Sequence, residues 1–163
     1  MHRIVAGTPE DMAATVFGTI VVLAVIAAGS GGKGLGPWAL VELVVGTTLV
    51  FWLGHVYAHA LGESVKLGRR LDWREIGFVT RRQAAIPLAA VAPVMALGLG
   101  GLGVVSERGA VWLSLSLAVV TLGVQGLRYA RLEHLGRTCT VVAVGVNLVI
   151  GLAIVALKAT ITH

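Results

Sequence analysis

The chain has 163 residues, of which 56% are hydrophobic and 13% are charged, and its mean hydropathy is +0.89. Soluble domains carry about 25% charged residues, so this composition excludes an ordinary soluble domain and indicates a protein of the lipid bilayer. The formal net charge of +5 does not indicate nucleic-acid binding, because basic residues collect at the cytoplasmic face of membrane proteins.

Five apolar runs predict five transmembrane helices, because a hydrocarbon core of about 30 Å needs about 20 apolar residues. The predicted helices cover about residues 12–30, 37–61, 84–105, 109–129 and 138–158. The acids Glu10 and Asp11 precede the first run where a signal peptide would be positively charged, so we interpret this run as an uncleaved helix. The remaining connections are too short for a soluble domain, which predicts one all-α transmembrane domain over residues 1–163.

Lysine and arginine divide unequally between the two sides of these helices. Ten lie in the N-terminal segment, the loop over 62–83 and the connection over 128–137, whereas three lie on the opposite side. This imbalance predicts a cytoplasmic N-terminus and a C-terminus outside. Trp38 and Tyr57 are 19 residues apart, about 28 Å along a helix, which is typical of aromatic belts at the two interfaces.

The loop contains the sequence Asp72-Trp73-Arg74-Glu75, which predicts a capping box and a short amphipathic helix over about 72–82. We expect it to lie on the inner leaflet, with Trp73 sharing a face with Ile76 and Val79. Its lipid-facing or partner-facing residues would be Trp73, Arg74, Arg81 and Arg82. This helix would anchor the loop at the membrane surface and so help to fix the orientation of the chain. Alternatively, it would act as a gate or as a docking site for a partner.

The third apolar run holds Pro93 near its midpoint. Proline removes a backbone donor and clashes one turn back, which predicts a kink there. The kink is either static or a hinge that lines a cavity.

Ionisable residues cluster on the second predicted helix, where Trp52, His55, His59, Glu63 and Lys66 recur at spacings of three and four. Such spacings place side chains on one stripe of a helix. Two imidazoles at this spacing can pass a proton or share a metal ion. Three interpretations stay open: interfacial polar residues, proton or cation handling at a cytoplasmic mouth, and a bound divalent metal.

A metal at His55 and His59 would need Glu63 or His134 as a third ligand, since the chain has one cysteine, Cys139. We therefore expect no cofactor, with a divalent metal at the two histidines as the exception.

Three further polar residues fall inside the predicted spans: Glu42, Gln125 and Asn147. Polar groups in a membrane are costly and are candidates for function, although amides also join neighbouring helices. Glu42 and the two histidines lie toward opposite ends of the second helix. This makes the second helix the best candidate to line a path across the membrane. No catalytic motif is recognisable, so an enzyme is not expected, and an intramembrane metalloenzyme ranks third among the hypotheses.

The sequence Phe51-Trp52-Leu53-Gly54-His55-Val56-Tyr57-Ala58-His59, followed by Asp72-Trp73-Arg74-Glu75, resembles a group of small uncharacterised integral membrane proteins from actinobacteria. The resemblance implies a bacterial plasma membrane location and implies no activity or site residues.

The leading hypothesis is a small oligomeric channel or transporter for protons or cations, with the second helix lining the path. Five helices are few for a self-contained pore, so we expect a homo-oligomer in the lipid bilayer. The alternative is a non-transporting scaffold or regulatory subunit that binds a partner or anionic lipid through its basic loop.

Overall fold

The computed structural model describes residues 9–31 and 34–161, and these residues form helices and turns without a strand. Residues 1–8, 32–33 and 162–163 lie outside this part. The predicted orientation concerns the two termini, and neither of them is described. The helices are α1 (Pro9–Gly29), α2 (Pro37–Leu67), α3 (Trp73–Arg82), α4 (Ala85–Ala89), α5 (Val91–Gly101), α6 (Glu107–Leu132) and α7 (Arg137–Ile161).

Five helical segments in the described part of the chain are long and apolar enough to cross a membrane. Four are α1, α2, α6 and α7, and the remaining one is the succession of α3, α4 and α5 over Trp73–Gly101. The all-helical fold with five candidate spans is thus confirmed.

Two helix ends differ from those predicted. Helix α2 continues past residue 61 to Leu67, because the polar residues that follow the apolar run also favour a helix, and it ends at Gly68 with a left-handed φ of 63°. Helix α5 ends at Gly101 rather than near residue 105, within a glycine-rich stretch in which Gly103 has a φ of 74°.

The third span is interrupted twice, and each time a helix ends four or five residues before a proline. Pro87 and Pro93 cannot donate to the carbonyls of Gln83 and Ala89, and α3 and α4 end at Arg82 and Ala89. At the first interruption, the amide of Ile86 donates to the carbonyl of Gln83 at 3.1 Å and replaces the bond that Pro87 cannot make. At the second, a tight turn forms in which the amide of Ala90 donates to the carbonyl of Pro87 at 3.1 Å. The helix is therefore interrupted at Ala90, three residues before Pro93, while the predicted kink and its role as a hinge stay predictions.

Helix α1 lies at the centre of the bundle and packs against α2, α4, α6 and α7. The core consists of fully buried apolar side chains from four spans, which include Leu23 and Ile26 of α1, Leu40 of α2, Leu97 of α5 and Leu122 of α6. By contrast, α2 and α7 are peripheral and expose many valines and leucines, which is the pattern of lipid-facing helices.

Helices α1 and α4 approach each other closely at Gly18. A Cβ placed on this glycine would lie 2.6 Å from the backbone oxygen of Ile86 in α4. Backbone cannot move aside as a flexible side chain can, so only glycine allows α1 to lie this close to α4.

We predict that Gly18→Ala destabilises the protein by about 1–3 kcal/mol, the usual cost of overpacking. The matched control is Gly145→Ala in α7, where a Cβ would meet no atom within 4 Å and alanine gains about 1 kcal/mol of helix propensity. Thermal unfolding in detergent, followed by size-exclusion chromatography, should give a lower midpoint for Gly18→Ala only. Equal midpoints for the two variants would contradict the contact.

Candidate functional sites

The two histidines of α2 lie side by side on the surface of the bundle. Residues four apart face the same side of a helix, and the ring centroids of His55 and His59 are 5.0 Å apart. Phe17 of α1 stacks on His55 at 5.1 Å, and Phe51 meets Phe17 edge-on at 6.0 Å. His55 is half-buried by these rings, whereas His59 is exposed. The pair is thus held against α1 on one side and open on the other.

A shallow groove of about 220 Å³ follows this face of α2, and we call it the histidine groove. Ala58 and Gly62 are small and leave room there, while the polar lining comes from His55, His59, Glu63 and Lys66. The predicted cluster therefore does share one surface. Trp52 lies on the same stripe, and its buried indole nitrogen has no hydrogen-bond partner among the described residues. The same is true of the buried hydroxyl of Thr48, one turn earlier.

A complete metal site does not form within the described residues, which contain no group of three His, Cys, Asp or Glu residues able to hold an ion. His134 follows α6 in a left-handed conformation, with a φ of 49°, and is exposed. Glu63 lines the histidine groove without converging with the two imidazoles into such a group. A metal at His55 and His59 would therefore need a third ligand from outside this set.

Glu42 lies apart from the histidine pair. It is exposed on α2, 13 residues before His55. Because each residue advances a helix by about 100° and about 1.5 Å, the two side chains point in nearly opposite directions and are about 20 Å apart along the axis. Helix α2, which is described throughout, therefore presents these groups on two faces.

Gln125 and Asn147 line a second and larger groove, which we call the amide groove. Its volume is about 590 Å³, and it lies between α1, α6 and α7. The lining residues are Met12, Ala13, Val16, Phe17, Ile20, Gln125, Tyr129, Leu132, Glu133 and Asn147. Phe17 contributes to this groove and also stacks on His55, so it separates the two sites.

Each amide in this groove has one hydrogen bond. Arg128 donates to Oε1 of Gln125 at 3.4 Å, and Nδ2 of Asn147 donates to the carbonyl of Ala143 at 3.0 Å. Gly126 lets α7 approach α6, since a Cβ there would lie 2.9 Å from Cα of Val144 and 3.1 Å from Nδ2 of Asn147. Asn147 is thereby held beside Gly126, the residue that follows Gln125.

The capping box at the start of α3 is confirmed. Asp72 accepts from the amide of Trp73 at 2.8 Å, and Glu75 accepts from the amide of Asp72 at 2.8 Å. Arg69 donates to both carboxylate oxygens of Glu75, at 2.7 and 3.0 Å, and this hydrogen bonding raises the pKa of Arg69. The loop between α2 and α3 is therefore closed by a bidentate pair.

The exposed aromatic residues of α3 are Trp73 and Phe78. Trp73 is 84% exposed, and the guanidinium of Arg82 lies 4.5 Å from the centroid of the Phe78 ring. Val79 is buried and Ile76 is half-buried, whereas Trp73, one helical turn before Ile76, is exposed. The sequence analysis missed Phe78, although its spacing of four from Arg82 is a usable signal. Arg74 and Arg81 are exposed as well.

Comparison of the chain with protein-family models, curated proteins and solved structures found no match. The fold therefore defines a class, that of all-helical proteins with several membrane-type helices. Within this class, the described residues supply five candidate spans, the histidine and amide grooves, and the exposed helix α3. The resemblance to small actinobacterial membrane proteins stays a prediction.

We predict that Asp72→Ala frays the first turn of α3, because it removes the acceptor for the amide of Trp73. Hydrogen exchange of a peptide covering α3, measured by mass spectrometry, should accelerate about fivefold, the equivalent of losing a typical cap. The control Asp72→Asn keeps a capping oxygen and should exchange within about twofold of the unaltered protein. Equal exchange in Asp72→Ala and the unaltered chain would show that the cap does not hold the helix.

Proposed function

We propose that the chain is a multi-pass protein of the bacterial plasma membrane and that it acts as a small homo-oligomeric channel or transporter for protons or cations. The observation that carries this proposal is the pair formed by His55 and His59, with ring centroids 5.0 Å apart on an open face of α2. Imidazole gains and loses a proton near neutral pH, so two adjacent imidazoles can pass a proton from one to the other. They can also repel cations when protonated and admit them when neutral.

A conducting path would need more than one copy of the chain. Glu42 and the histidines occupy different faces of α2, so one chain does not align them. Gly46, Gly54 and Gly62 on the same helix have open space where a Cβ would stand. Small residues allow membrane helices to approach closely, so copies of α2 arranged around a common axis would bring polar residues from different copies together.

The proposed orientation places the N-terminus and α3 in the cytoplasm and the C-terminus outside. Its support is the excess of lysine and arginine, ten against three, on the side that holds α3.

Cysteine labelling tests this orientation. The exposed native thiol is first removed by Cys139→Ser, and Arg74→Cys and His163→Cys are then introduced separately. A membrane-impermeant maleimide applied to intact cells should label His163→Cys at once and Arg74→Cys only after permeabilisation, because the bilayer separates the two positions. Labelling of both positions from the same side would overturn the orientation.

A second candidate function is a non-transporting scaffold or regulatory subunit. It is favoured by the exposed aromatic and basic residues of α3, where Trp73 and Phe78 stand beside Arg74 and Arg82. Such a surface suits anionic lipid headgroups or an acidic partner. The two candidates differ in whether the reconstituted protein moves ions.

Ion flux in proteoliposomes distinguishes them. Internal pH and a potassium diffusion potential are recorded for the unaltered protein and for His55→Ala and His59→Ala. We expect each substitution to lower proton or cation flux by at least about tenfold, because it removes one of the two adjacent imidazoles. The matched control is His134→Ala, an exposed histidine outside the spans, which should leave flux unchanged. Glu42→Gln reports separately on the opposite face of α2.

Absence of flux from folded, reconstituted protein would overturn the channel proposal and favour the scaffold. Equal flux in all variants would show that ions do not pass the histidine groove.

A further inference from the structure

The amide groove has the dimensions and composition of a ligand site. Its volume of about 590 Å³ falls in the range of about 300–1,000 Å³ that is common for small-molecule pockets. Six of its ten lining residues are apolar, and the four others are Gln125, Tyr129, Glu133 and Asn147. A mostly apolar wall with a few polar groups suits an apolar molecule that carries a small polar group.

Gln125 supplies an unused hydrogen-bond donor. Its side chain is only 6% exposed. The guanidinium of Arg128 has donors alone, so the oxygen of the Gln125 amide must face it and the amide nitrogen points elsewhere. The described residues offer this nitrogen no acceptor. In the described part of the chain, the fully buried side-chain atoms without a partner belong to Thr48 and Trp52, so the amide nitrogen of Gln125 is not sealed off. It borders the amide groove and can donate to a ligand that accepts a hydrogen bond.

Asn147 supplies the complementary acceptor. The carbonyl of Ala143 can only accept, so the amide nitrogen of Asn147 must face it and the oxygen Oδ1 is left over. Across the described part of the chain, no donor reaches this oxygen. The close contact at Gly126 holds Asn147 beside the α6 turn that carries Gln125. The groove therefore combines one donor from α6 with one acceptor from α7.

We propose that the amide groove binds a neutral, largely apolar molecule with a hydroxyl group, such as a long-chain alcohol or a diacylglycerol. A hydroxyl accepts and donates, so it can pair with the nitrogen of Gln125 and the oxygen of Asn147 together. The ligand is neutral because the described lining includes the acid Glu133 and no basic residue, while the nearby guanidinium of Arg128 is directed to Oε1 of Gln125.

Photo-crosslinking in nanodiscs tests this proposal without depending on ion flux. The probes are a diazirine derivative of hexadecanol, its methyl ether and the corresponding fatty acid, and crosslinked peptides are identified by mass spectrometry. We expect the alcohol to label the segment of α1 over 12–20 at least about tenfold more than the ether or the acid, because only the alcohol is neutral and both donates and accepts. Competition by unlabelled hexadecanol or by dioctanoylglycerol shows whether the long-chain alcohol or the diacylglycerol binds better.

Variants connect the labelling to the two amides. Gln125→Leu and Asn147→Ala should each lower labelling by the alcohol to the level of the ether. Ala13→Trp should lower labelling by all three probes, because Ala13 is an exposed lining residue and tryptophan would fill the groove. The control is Thr121→Val, since the Thr121 hydroxyl donates within α6 to Leu117 at 2.9 Å and does not line the groove.

Equal labelling by the three probes, unaffected by the amide substitutions, would overturn the proposal and show that acyl chains fill the groove without recognition. Preferential labelling by the fatty acid would overturn it as well. If Gln125→Leu does not fold, Asn147→Ala and Ala13→Trp carry the test.

Discussion

Within a bilayer, backbone amides and carbonyls find no water, so each span must satisfy its own hydrogen bonds or rely on a neighbour. The third span cannot do so alone, because Pro87 and Pro93 each remove a donor. Gly18 allows α1 to lie directly against the backbone of Ile86 and to cover this interrupted segment. That contact places α1 at the centre of the bundle. It also sets the position of Phe17, the preceding residue, which lines the amide groove and stacks on His55.

The helices themselves were predictable, because the length of an apolar run and the identity of its caps are local properties. The capping box at Asp72 and Glu75 and the break near Pro93 follow from chemistry within a few residues. The histidine stripe is likewise a matter of helical spacing. Hydropathy alone placed the end of α2 too early, because the apolar run is followed by polar residues that also favour a helix.

The surroundings of each candidate residue were not predictable, because they depend on which helices become neighbours. Nothing local indicates that Phe17 stacks on His55, or that Gln125 and Asn147 share a groove with α1. Lipid offers no hydrophobic drive for helix association, so the arrangement follows from close backbone contacts at Gly18 and Gly126, which pattern analysis does not rank above other glycines.

The unequal lengths of the spans have a consequence for their positions in a bilayer. Helix α2, at 31 residues, is about 46 Å long, whereas α4 and α5 together, from Ala85 to Gly101, extend only about 25 Å. A bilayer core of about 30 Å is shorter than α2 and longer than α4 and α5 together. In a bilayer, the last turns of α2, which carry Glu63 and Lys66, would extend beyond the hydrocarbon core, and the third span would need part of α3 to complete its crossing.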